Sequence, residues 1–255
     1  MWDADLGVIQ NPYGYIMNKV IFFLLLVMSS SINADQSKDW INYLENPRYE
    51  EYRLKKENFK DGYLSHDFSK IFKPKNKFLG FIEPDFRRLK IKFDSVEKIS
   101  GDEYQVAGTT VVKGNVCNFT GVVTVQEVRE YSELHFGVVE ENRSEEIQSQ
   151  GVVIATYEFL ENKSQKYSGI FSGIMTAYWY MNAKGELKYD NIEYFSDNYK
   201  NNQYIGVWRM YGSNKVKIAN WGEHRIPFAI GLDVGASEFG VHSKYINNGW
   251  EDYNF

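Results

Sequence analysis

Between Tyr167 and Tyr211 the chain is built on one small unit: an aromatic residue, any residue, then glycine. The unit occurs at Phe171–Gly173 and Tyr204–Gly206, and earlier at Phe78–Gly80 and Phe119–Gly121. Residues two apart in a strand share a face. Around Phe171 that face continues through Met175, Ala177 and Trp179, with Ser172, Thr176, Tyr178 and Tyr180 opposite. Around Tyr204 it continues through Trp208 and Met210, with Arg209 opposite, and around Phe119 it takes in Cys117, Val123 and Val125. In each case glycine and ring stand on the apolar face. Glycine on a concave face relieves crowding and lets strands bend, while a nearby ring fills the vacated space. The pattern predicts a closing barrel.

Other segments alternate in the same way. Leu89, Ile91 and Phe93 oppose Arg88, Lys90, Lys92 and Asp94, the mark of a strand with one wet face. Tyr104, Val106 and Gly108 share a face in the next strand. After a tight turn at Lys113–Asn115, a third strand runs from about Val116 to Arg129. Leu134–Glu140 is strand-like, and Gly151–Leu160 turns Val153, Ala155, Tyr157 and Phe159 inward. A short strand at Val216–Trp221 opens a tail rich in tryptophan and glycine, which is expected to wrap over the barrel or close one end. An aromatic content of 16% suits pleated, half-buried surfaces. The expected fold is mainly β: a single antiparallel up-and-down barrel of about eight to ten strands over residues 88–255.

The N-terminal third differs. Residues 1–16 carry Asp3 and Asp5 and are expected to be an upstream extension of the reading frame. From Met17 come Lys19, the apolar run Val20–Met28, and the small polar stretch Ser29–Ala34, so residues 17–34 predict a signal peptide. The run is short for a bilayer span, no cysteine stands at the cut, and the protein is expected to be exported, periplasmic or secreted, with no membrane span in the mature chain. Residues 35–87 predict a helical and loop segment packing on the barrel. Trp40, Tyr43 and Leu44 make one helical stripe, and Asn46–Pro47 predicts a restart toward Phe59. Residues 61–87, with Lys70, Lys73, Lys75 and Lys77, read as loop.

Chemical motifs are sparse. No nucleophile elbow, zinc-protease helix, phosphate loop or dinucleotide fingerprint occurs, and no catalytic residue is assigned. The histidines (His66, His135, His224, His242) lack metal-ligand spacing, the one cysteine forms no disulfide, and no metal or cofactor is expected. Cys117 reads as a buried small hydrophobe. A net charge of −5, spread along the chain, gives no reason to expect nucleic acid. Glu140, Glu141, Glu145 and Glu146 read as a solvated loop with cation binding as the alternative. His66–Asp67 and Glu223–His224–Arg225 are the densest titratable groups, each open to a structural or an acid–base role.

The segments F-L-G-F-I, N-V-C-N-F-T-G, S-G-I-F-S-G, N-N-Q-Y-I-G-V-W, N-W-G-E-H-R-I-P and L-D-V-G-A-S-E-F together resemble a group of exported bacterial proteins with no assigned activity. The meander of long strands is similar to lipocalin- and avidin-like (calycin) barrels. That likeness implies a non-catalytic binding protein holding a small apolar or amphipathic ligand. Phe119, Tyr157, Phe171, Trp179, Tyr204 and Trp208 are the expected lining, with a filled core as the alternative role for each. A surface module for a glycan or protein partner is the second expectation, using Tyr178, Tyr180, Tyr211, Trp250 or Tyr253. A hydrolase using Glu223 and His224 is the third.

Overall fold

The computed structural model describes residues 30–137, 147–197 and 199–253. The expected upstream extension, most of the signal peptide and the acidic loop at 140–146 lie outside these. The fold is mainly β, with 46% strand and 13% helix. Its strands are β1 (Leu79–Ile82), β2 (Arg87–Arg88), β3 (Lys90–Lys98), β4 (Glu103–Val112), β5 (Asn115–Glu130), β6 (Ile147–Glu161), β7 (Gly169–Asn182), β8 (Leu187–Tyr189), β9 (Asn201–Met210) and β10 (Val216–Glu223). Nine of them form an antiparallel sheet curled into a half-barrel, ordered β2-β1-β10-β9-β7-β6-β5-β4-β3, with β8 paired to β7. From β3 to β10 the main strands therefore run as an up-and-down meander.

The sheet begins before Arg88, where alternation first becomes visible. In β1 every residue is buried, so no polar–apolar rhythm marks it. It pairs with β10, with Gly80 opposite Trp221. β2 pairs with β1 and passes through Leu89 into β3. The Leu89 N–H donates to the Gly80 carbonyl at 2.9 Å. The two ends of the strand order are thus one stretch of chain.

The glycines act across strands. Gly108 stands opposite Phe119, Gly121 opposite Phe159, and Gly173 opposite both Tyr157 and Gly206. A Cβ on Gly108 would meet the Phe119 ring, and one on Gly121 the Phe159 ring. The ring that covers each of these glycines comes from the neighbouring strand, so the tight sites step from β4 round to β9.

The concave face is covered along its length and the convex face in part, with the outer side of β3 and β4 facing solvent. The concave face holds one large core, from Leu89 and Phe93 through Phe159 and Trp179 to Trp221. Helices α1 (Ser30–Glu45), α2 (Lys60–Tyr63) and α3 (Ser69–Phe72) precede the sheet. Phe68, Ile71 and Phe72 enter the concave core and cap one end of it. There the Phe68 N–H donates to the Tyr104 hydroxyl at 3.1 Å. On the convex face α1 lays Trp40 and Leu44 against Val152, Ile154 and Ile205, and Trp40 Nε1 donates to Thr176 Oγ1 at 3.1 Å. The tail covers β1 from outside, with Leu232, Phe239 and Trp250 against Leu79 and Phe81. No helix among the described residues is long and apolar enough to cross a membrane.

Two local expectations differ. After Glu45 the chain forms only a short 3-10 turn at Glu50–Tyr52, and Leu54 bridges to Tyr131. The aromatic spacing there serves packing against β5. Residues 134–137 form no strand.

Candidate functional site

The six expected lining residues all lie buried in the concave core. Strand register explains this: they come from β5, β6, β7 and β9, at positions that share one face. Tyr204 is central. Its ring centroid lies 5.3 Å from Tyr157 and 4.8 Å from Trp221, with which it stacks at 11°. Phe119 stacks on Phe159 at 5.0 Å, and Phe171 meets Trp208 at 6.5 Å and Trp221 at 5.8 Å. Trp179 contacts Tyr63 of the capping segment at 4.7 Å. Trp221 escaped sequence selection although its spacing from Ala219 places it on this face.

The core is apolar in surface but not in all its atoms. The Tyr157 and Tyr204 hydroxyls, and the indole N–H groups of Trp179 and Trp221, are buried without a hydrogen-bond partner among the described residues. Burial pushes both phenols well above their ordinary value, so they stay neutral donors. Buried polar groups nearly always find partners, which makes four such atoms in one cluster chemically informative. Trp208 differs, because its Nε1 donates to Glu161 Oε2 at 3.0 Å.

Two buried carboxylates stand at opposite ends of β9. At the far end from the helices, Glu161 accepts from Thr110 Oγ1, the Gly169 N–H and Trp208. Cys117 lies buried nearby, its thiol pushed up by burial and by Glu161, consistent with a packed rather than a reactive sulfur. At the capped end, Glu223 Oε1 accepts the N–H groups of Lys75 and Asn76 at 2.9 and 2.8 Å. Its Oε2 accepts Tyr189 Oη at 2.8 Å and Asn202 Nδ2 at 2.7 Å. The carboxylate ties the approach to β1 onto β8 and β9.

The neighbours of Glu223 have separate tasks. His224 has a left-handed backbone, φ 65°, and its Nε2 lies 3.1 Å from Asn76 Nδ2. Its ring packs on Tyr194 and Tyr199, and burial lowers its pKa. Arg225 pairs with Asp233 at 2.7 Å and donates to the carbonyls of Asp197, Gly235, Ala236 and Ser237. Asp67 makes an Asx turn leading into α3, its Oδ1 accepting the Ser69 N–H at 2.8 Å, so His66–Asp67 serves a turn. No group of three metal-ligating side chains occurs among the described residues.

Of the outward aromatics, Trp250 is buried where the tail packs on β1, and Tyr178 sits partly buried beside α1. Tyr211 donates to the Glu161 carbonyl at 3.1 Å, and the Tyr253 ring lies 5.2 Å from the Arg88 guanidinium. They form no single exposed ladder. Much more exposed are Phe195 (80%) and Tyr194 (44%), whose rings touch at 5.3 Å beside His224.

Asp190 is a buried carboxylate, with Oδ1 accepting the Ile192 N–H at 3.0 Å. Burial pushes it up to about 6 from its ordinary 3.8. The folded protein therefore holds this proton where the unfolded chain releases it. The associated stability is present below about pH 4 and is lost as pH rises through about 6. Asp190→Asn is expected to stabilise the fold at pH 7 by roughly 1–3 kcal/mol and to flatten the pH 4–6 slope. Urea unfolding at stepped pH checks both.

Comparison with protein-family models, curated proteins and solved structures gives no match for this chain.

Proposed function

We propose that the protein is an exported, non-catalytic binding protein whose curled sheet closes into a calycin-like barrel around a small amphipathic ligand. The observation that carries this is the set of partnerless polar atoms on Tyr157, Tyr204, Trp179 and Trp221 within an aromatic core. Ligand pockets combine apolar walls with a few placed polar groups. Closure is supported by the continuity of β2 with β3 and by the Leu89–Gly80 hydrogen bond. Export rests on the Met17–Ala34 segment.

Native mass spectrometry of protein purified gently from its own host's envelope tests the proposal, with Tyr157→Phe/Tyr204→Phe alongside. A ligand that uses the hydroxyls would co-purify with the wild type and bind the double variant roughly tenfold more weakly per hydroxyl. A bare mass for both proteins, with a higher thermal midpoint for the double variant, overturns it. In that case two unsatisfied groups have simply been removed.

A second reading rests on the Tyr194–Phe195 turn. It is exposed, backed by Tyr199 and His224, and tied down through the Asp197 carbonyl to Arg225. Such a rigid aromatic projection suits a protein or glycan partner.

A further inference from the structure

The end of the half-barrel opposite the helices is lined by cations. Arg87 pairs directly with Ile82, a concave core residue, and so shares its face. Lys217 pairs directly with Trp208, also of that core, and its Nζ lies 5.5 Å from the Trp208 ring centroid. Lys113 lies on the β4–β5 turn and Lys215 just before β10, both at this same end. None of the four makes a salt bridge among the described residues, and Arg87 Nε is buried without a partner.

The next residue differs in its neighbours, although its Nε is likewise buried without a partner. Arg88, on the other face, is held by Asp252 and by the rings of Trp250 and Tyr253. Two acids at this end are engaged elsewhere. Asp252 also takes Lys90, while Glu161 is bound by Thr110, Gly169 and Trp208. Glu83 and Lys217 both line a hollow with Val207, Val216 and Ile218. The Glu83 N–H donates to the Ile218 carbonyl at 2.9 Å, which sets Glu83 level with a residue of the convex side, and Glu83 forms no salt bridge with Lys217. Like charges gathered without salt bridges repel. Burial first, and then Arg87, Lys215 and Lys113, lower the Lys217 pKa.

We propose that Arg87, Lys113, Lys215 and Lys217 form an anion-binding rim that takes the acidic head group of a single-chain amphiphile whose tail enters the aromatic core. This deepens, and rests on, the interior binding proposed above. Cations at the mouth of an apolar site fix a ligand's polarity and its direction of entry.

Calorimetric titrations with laurate, 1-dodecanol and inorganic phosphate, on wild type and Lys215→Gln/Lys217→Gln, test it. Laurate is expected to bind at least tenfold tighter than dodecanol, with the gap closing in the variant and narrowing with added salt. The variant should unfold no earlier than wild type, because repulsion is relieved. Equal binding of laurate and dodecanol, unaffected by the variant, overturns the rim and leaves the interior proposal standing. Variant-sensitive phosphate binding without binding of either chain compound upholds an anion rim and sinks the interior proposal. Absence of binding by all three overturns the rim.

Discussion

Gly121→Ala is expected to cost more than about 3 kcal/mol, a large share of a typical domain's stability. The added Cβ would fall on the Glu158 carbonyl oxygen and lie within 2.7 Å of Phe159 Cα. Both obstacles belong to the paired strand β6, whose register is fixed along its length by β5 and β7. Rotating a side chain cannot clear backbone atoms, so the strands must separate. The loss should appear in urea unfolding as a lower midpoint with a similar slope. Gly62→Ala is the control. Its Cβ meets nothing within 4 Å, and it sits in a helix, where alanine is favoured by about 0.5–1 kcal/mol. Near-wild-type stability of Gly121→Ala would mean that the sheet tolerates local separation, and that glycine does not set its curvature there.

Glu223→Ala is the second large effect, expected to destabilise by about 3–5 kcal/mol. Removing the carboxylate strands the N–H groups of Lys75 and Asn76, the Tyr189 hydroxyl and the Asn202 amide in a buried corner. Glu223→Gln should lose less. Its carbonyl oxygen still serves the two backbone donors, while its amide replaces an acceptor that Tyr189 and Asn202 both use. Hydrogen exchange should locate the damage, with Lys75 and Asn76 amides losing protection first. If alanine and glutamine variants unfold together with the wild type, the corner contributes little and the Glu223 network is incidental to the fold.

Alternation was readable wherever one face of a strand met solvent, as in β3 with Ile91 and Phe93 against Lys90 and Lys92. It failed for β1, where the tail covers the outer face and every residue is buried. Asn46–Phe59 misled because Tyr49, Tyr52 and Leu54 mimic a helical stripe. Their spacing is in fact dictated by distant partners: Tyr52 donates to the Glu193 carboxylate at 2.7 Å, and Leu54 bridges Tyr131. Candidate-site residues followed the same rule. The concave face of β5, β6, β7 and β9 could be read from period two, and so could Lys217, two residues before Ala219. A lysine at the end of an apolar row is easily assigned to the wet side. The Glu223 corner was out of reach, because its amide partners lie 148 and 147 positions away and no local pattern encodes them.

The seam where β1 meets β10 also sets the order of assembly. Leu79–Ile82 must pair with Ala219–Gly222, whereas every meander hairpin joins near neighbours in sequence. The meander can form while the chain is still emerging, but the seam waits until β10 has appeared, because long-range pairing is slow and carries the larger loop-closure entropy. Until the seam forms, β1 and the last completed meander strand are open sheet edges, the places where another copy could add a strand. Chain released short of β10 should therefore associate edge to edge through β1 or β9, and the late stitch of Leu79–Ile82 to Ala219–Gly222 removes both of those edges at once.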